Sequence, residues 1–127
     1  GYTEECFIAG FNGVHGPLRF RFRRALGWQN AEARRAASRL EPRQAEGHWA
    51  KFLKAQLVDW DLQTPDGKRV ELTEANILRM NPALNEAVLA VVMSVRGGDL
   101  DPERPESPDG TATGDREGAD AKNSPPG

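Results

Sequence analysis

The side chains in this chain that could do chemistry are few: His15, His48, Cys6, and the nearby carboxylates Glu46, Asp59 and Asp61. A histidine beside a carboxylate can serve as a general base, and Glu46 or Asp59 would be the partner of His48. Neither combination has the spacing of a His-Glu-x-x-His zinc helix, and no Gly-x-Ser-x-Gly elbow supplies a nucleophile. Asn12-Gly13-Val14-His15-Gly16 has glycines but lacks the lysine and following helix of a phosphate loop, so it reads as a turn. Asp59 and Asp61 flank Trp60 as a carboxylate pair, yet strand alternation turns Asp61 toward solvent with nothing basic or nucleophilic beside it. His48 reads as a partly exposed structural histidine. No catalytic, cofactor-binding or metal-ligating residue is assigned, no cofactor is expected, and the chain reads as a non-enzyme.

A second kind of chemistry is carried by Arg19-Phe20-Arg21-Phe22-Arg23-Arg24. Basic residues interleaved with aromatics can grip a phosphate backbone while bases stack. On a strand, however, Leu18, Phe20 and Phe22 point to one face and Arg19, Arg21 and Arg23 to the other. The aromatics then enter a core and the arginines alone meet solvent or a partner. With Arg34, Arg35 and Arg39 they form the candidate protein-contact set, and nucleic acid is the alternative partner. The acidic pI of about 5.7 opposes that alternative.

Charge is unevenly spread over the 127 residues, whose net charge is −2. Residues 18–54 hold ten basic side chains against three acidic ones, whereas residues 97–127 hold three basic against eight acidic. Such asymmetry suggests an acidic tail that screens a basic surface, or a basic surface awaiting an acidic partner. The stretch from Gly97 is rich in Gly and Pro, with Leu100 its one large aliphatic residue. It cannot bury enough apolar surface to offset its ordering entropy, so residues 99–127 are expected to be disordered and residues 1–98 to form one small domain. Cys6 is the only cysteine, which excludes an intrachain disulfide and suggests a small core side chain in a reduced, intracellular protein. No run of apolar residues is long enough to span a bilayer.

The elements that must position these residues are α+β in pattern. Residues 5–24 predict a β-hairpin, with Cys6 to Phe11 as the first strand. A helix is predicted over residues 30–40 with Asn30 as N-cap, and another from Arg43 to Asp59. Its stripe is Trp49, Phe52, Leu53, Leu57 and Trp60. Leu62 and then Val70 with Leu72 flank Thr64-Pro65-Asp66-Gly67, predicting a second, short hairpin. Thr73 caps a helix over residues 74–80, and Asn81-Pro82 starts a last one that Gly97-Gly98 ends. Its stripe is Leu84, Val88, Val91, Val92 and Val95. The structural positions are therefore Trp49, Phe52, Trp60, Leu62, Gly67, Thr73 and Pro82.

A Phe-Arg-Phe-Arg strand, Arg-rich helices, Val58-Asp59-Trp60-Asp61-Leu62, the Pro-Asp-Gly turn and the run Val70 to Leu84 come in one order. Over residues 18–101 this layout resembles small tail-assembly proteins of tailed bacteriophages and prophages, the tail assembly chaperones. The pattern turns on Trp60, Gly67, Thr73 and Pro82, and the acidic tail is not part of it. The resemblance implies a non-enzymatic protein of the bacterial host cytoplasm that binds a tape-measure or tail-tube protein. It would keep apolar segments of that partner soluble until assembly. Such a role needs a sheet edge, for which the first hairpin is the candidate, or an apolar groove, for which residues 84–95 are. A nucleic-acid-binding module using residues 19–43, or a structural virion component, are the alternatives.

Overall fold

The computed structural model describes residues 2–103; residues 1 and 104–127, and with them most of the expected tail, lie outside the described residues. The fold is α+β. Strands β1 (Glu4–Ile8), β2 (Leu18–Phe22) and β3 (Leu57–Trp60) form one antiparallel sheet in that spatial order. Among the described residues four helices accompany it: α1 (Gly27–Ala37), α2 (Pro42–Gln56), α3 (Glu74–Arg79) and α4 (Pro82–Val92).

β1 and β2 make the N-terminal hairpin, with Glu4 opposite Phe22 and Ile8 opposite Leu18. β1 stops at Ile8 rather than at Phe11. Phe11 and His15 close a loop of their own, the Phe11 N–H donating to the His15 carbonyl at 2.9 Å, and Phe11 is exposed. Along β2 the two-residue period sends Leu18, Phe20 and Phe22 into a core completed by Leu53, Trp60, Ile77, Leu84, Val88, Val91 and Val92. Each such side chain contributes on the order of 1.5–3 kcal/mol by burial.

Residues 57–60 are strand, not the last turn of a helix running to Asp59. α2 ends at Gln56 and Leu57 turns extended, at φ −79° and ψ 136°. The β-branched and aromatic residues that follow suit a pleated surface. β3 carries a bulge against β2: Trp60 lies opposite Phe20 and Asp59 opposite Arg21, but Leu57 lies opposite Phe22.

α1 starts at Gly27, three residues before the expected Asn30. Its N-cap is Leu26, whose N–H donates to Gln29 Oε1 at 2.7 Å, and α2 repeats the device with the Glu41 N–H and Gln44 Oε1 at 3.2 Å. A glutamine at the third helical position thus satisfies the cap N–H in both helices. Asn30 sits inside α1 and donates through Nδ2 to the Met93 carbonyl at 3.0 Å.

Residues 61–73 form a hairpin-shaped turn closed by one bridge, Gln63 with Arg69, rather than by two regular strands. The Val70 N–H donates to the Leu62 carbonyl and the Gly67 N–H to the Thr64 carbonyl, both at 2.9 Å. Gly67 has φ +88°, a conformation that suits glycine. Thr73 Oγ1 accepts from the Asn76 N–H at 3.1 Å, and Asn81 Oδ1 from those of Ala83 and Leu84, so both expected caps form.

α4 ends at Val92, well before Gly97-Gly98. Ser94 takes φ 67°, its N–H donates to the Val91 carbonyl at 3.1 Å and the Val95 N–H to that of Ala90 at 2.7 Å. These are the two bonds of a Schellman termination. Val95, expected on the apolar stripe, is carried past the helix and exposed. Among the described residues no helix is long and apolar enough to cross a membrane.

Candidate interaction surfaces

The six arginines of the contact set do not share one site. Arg19 and Arg21 stand on the sheet face opposite the core, and both are engaged by the chain's own acids. Arg21 pairs with Asp59 across β2–β3. Asp61 Oδ1 accepts the Arg19 main-chain N–H at 2.8 Å, and its carboxylate lies 3.6 Å from the Arg19 guanidinium. Asp59 and Asp61 thus have basic partners, contrary to expectation, because β3 lies directly beside the arginines of β2. Hydrogen bonding to Asp101 first, then the charges of Asp101, Glu103 and Asp61, raise the pKa of Arg19. Arg23 is exposed where β2 ends, its main chain held in both directions by Gln56. Arg34, Arg35 and Arg39 are exposed at the end of α1 and beyond. Among the described residues none of Arg23, Arg34, Arg35 and Arg39 has a carboxylate within ion-pair distance.

The residues assigned to structure lie along the frame. Trp49 and Phe52 are half-buried and meet edge to face at 5.6 Å. Trp60 is buried and donates its indole N–H to the Val70 carbonyl at 2.8 Å; Leu62 is half-buried beside the turn. Pro82 is exposed at the first position of α4. His48 Nε2 lies 3.0 Å from the Ala33 carbonyl, tying α2 to α1. His15 Nδ1 lies 2.9 Å from the Gly16 carbonyl in the loop. No group of three metal-ligating side chains occurs among the described residues.

Residues 99–103, assigned to the tail by composition, are held on the sheet. The Asp99 N–H donates to the Phe7 carbonyl at 2.7 Å and Asp99 Oδ2 accepts from the Ala9 N–H at 2.8 Å, occupying part of the β1 edge. Asp101 grips Arg19 with both oxygens, Nε donating to Oδ2 at 2.9 Å and Nη2 to Oδ1 at 2.8 Å. The Arg19 guanidinium in turn lies 4.8 Å from the Phe7 ring centroid, in cation–π geometry. Gly98 makes this path possible: a Cβ there would collide with Cys6 Sγ and stand 3.0 Å from the Phe7 carbonyl oxygen. Beside Arg19, a concavity of about 690 Å³ opens between residues 13–17 and 61–65.

A second surface lies where α1 begins and α4 ends. The Ala25 N–H donates to the Val92 carbonyl at 3.2 Å, and Arg24 Nη1 donates to the Val91 carbonyl at 3.2 Å and to Ser94 Oγ at 2.8 Å. Glu4 holds the rest of the Arg24 guanidinium. These bonds bring the start of α1 to the end of α4, and Leu26, Trp28 and Val95, which flank this corner in sequence, are 57%, 65% and 64% exposed. Neither Leu26 nor Trp28 stands out in the sequence, because the helix pattern is strongest after them. A tryptophan in the first turn of a helix otherwise poor in apolar residues is the signal that marks it. The stripe on α4, by contrast, is consumed by the core through Leu84, Val88, Val91 and Val92. Comparison with protein-family models, curated proteins and solved structures found no match.

Proposed function

We propose that this chain is a non-enzymatic, chaperone-like tail-assembly protein of a tailed bacteriophage or prophage, working in the bacterial host cytoplasm. It binds a tape-measure or tail-tube protein and keeps its apolar segments soluble during tail morphogenesis. The resemblance over residues 18–101 supplies the family. The observation that carries the contact role is the corner of Leu26, Trp28 and Val95, large apolar side chains left outside a fold that buries its own helical stripe. Trp28, Glu32 and Arg35 follow one another on one face of α1 at helical spacing. The corner therefore suits an apolar segment, with the tryptophan as anchor.

A nucleic-acid reading draws on Arg34, Arg35 and Arg39, which have no ion-pair partner among the described residues. Co-expression of the tagged full chain with the tape-measure and tail-tube proteins of the same genome separates the two. A soluble complex with one of them, retained at raised salt, is expected. A chain that stays apart from both, yet shifts nucleic acid in a salt-sensitive manner that Arg34→Ala and Arg35→Ala weaken, would overturn the proposal. Presence in mature particles would mark a virion component instead of a transient helper.

A further inference from the structure

The geometry points to the outer sheet face at Arg19 and Phe7 as a binding site for an extended acidic segment of a partner protein, which residues 99–103 occupy in cis. Asp99-Leu100-Asp101 shows what the site accepts. One residue pairs through its main chain with the β1 edge, and a carboxylate two residues later takes the guanidinium. The main-chain bond to the Phe7 carbonyl sets the register and the arginine fork supplies the selectivity. The Asp101 side chain is only 11% exposed, so this contact is seated rather than a passing surface pair. Glu103, also within residues 99–103, lies 3.4 Å from the same guanidinium, while the resident Asp61 at 3.6 Å competes for it. The concavity lined by Arg19, Asp61, Leu62 and Thr64 leaves room for a longer segment to continue past Arg19.

An internal occupant lowers the apparent affinity for any external one by the fraction of time the site stands open. Partner binding at this face is thus coupled to release of residues 99–103. Gly97-Gly98, immediately before them, gives the chain the freedom to swing away. The inference is separate from the corner at Trp28 and does not depend on the family resemblance.

The test uses the full chain and a fluorescent peptide, Gly-Gly-Asp-Leu-Asp-Pro-Glu, read by anisotropy. Asp101→Ala should bind the peptide at least about tenfold more tightly than the unaltered chain, because it vacates the fork. Adding Arg19→Gln to Asp101→Ala should abolish that gain, and Arg19→Lys should restore only part of it, since lysine cannot form the fork. Circular dichroism melting confirms that each variant is folded. Equal peptide affinity of the unaltered chain and Asp101→Ala would overturn the inference. So would a gain that survives Arg19→Gln, or an Asp101→Ala chain that melts lower and binds no peptide, which would make the contact a structural clasp only.

Discussion

Leu57 and Trp60 lie three residues apart on one strand and both face the core, opposite Phe22 and Phe20 respectively. In a regular strand, residues three apart point to opposite faces. The bulge in β3 absorbs the extra residue and brings both side chains inward while Asp59 stays with Arg21 outside. Deleting Val58 leaves Leu57 and Trp60 two apart, the spacing at which a regular strand turns both inward, so the core should keep both and the urea midpoint should stay close to that of the natural chain. A loss of about 2–5 kcal/mol, as for emptying a core position, would show instead that the bulge itself is required.

The Trp60 indole is also the clasp between sheet and turn, through its bond to the Val70 carbonyl. Trp60→Phe keeps most of the apolar bulk but leaves that carbonyl without its donor. The expected cost is about 1–3 kcal/mol by denaturant titration, and about 3–5 kcal/mol for Trp60→Ala. Partner binding should persist in whatever fraction remains folded. Normal stability with lost binding in Trp60→Ala would instead make this joint a contact site.

The same residues show how far the chain could be read from its sequence. Leu18, Phe20 and Phe22 against Arg19 and Arg21 were legible because alternation is a local signal, and so were the caps at Thr73 and Asn81. Leu57 and Trp60 were not, because a bulged strand reproduces the three-residue spacing of a helix. The Arg19–Asp101 fork joins residues 82 apart in sequence, and composition alone placed Asp101 in a solvated tail. Trp28 is not legible as a surface residue, because exposure depends on what packs nearby, and it is 65% exposed where residues 24–25 close onto residues 91–94.

Cys6 lies on β1 under Gly98, and burial pushes its thiol up to about 11, with Arg96 opposing. In the unfolded chain the thiol ionises near its ordinary value of 9.0. Between these values the unfolded state releases a proton that the folded state keeps. The contribution of Cys6 to stability is therefore full below pH 9 and falls as pH rises toward 11. The stability difference between the natural chain and Cys6→Ala should shrink across that window, and iodoacetamide should label the folded protein slowly at pH 8. Labelling as fast as a free small thiol would contradict the buried environment.

Ser94 ends α4 in a left-handed conformation usually taken by glycine. Ser94→Gly should relieve that strain and stabilise the fold by about 0.5–1 kcal/mol, less what the Arg24 bond to Ser94 Oγ contributes. Ser94→Val should destabilise it by at least as much, since a branched side chain tolerates positive φ poorly. Because both variants lose the Arg24 bond, their difference isolates the backbone effect, and a Ser94→Val chain that melts no lower than Ser94→Gly would refute this account of the helix end.

The proposed partner contact is carried by the exposed pair Leu26 and Trp28. The affinity of the purified full chain for the tape-measure or tail-tube protein, measured by titration calorimetry, tests that contact most directly. Trp28→Ser with Leu26→Ala should weaken binding by at least about tenfold while leaving the melting temperature unchanged, because both side chains are already exposed and alanine adds no cap. Undiminished affinity in that double variant would contradict the role of this surface.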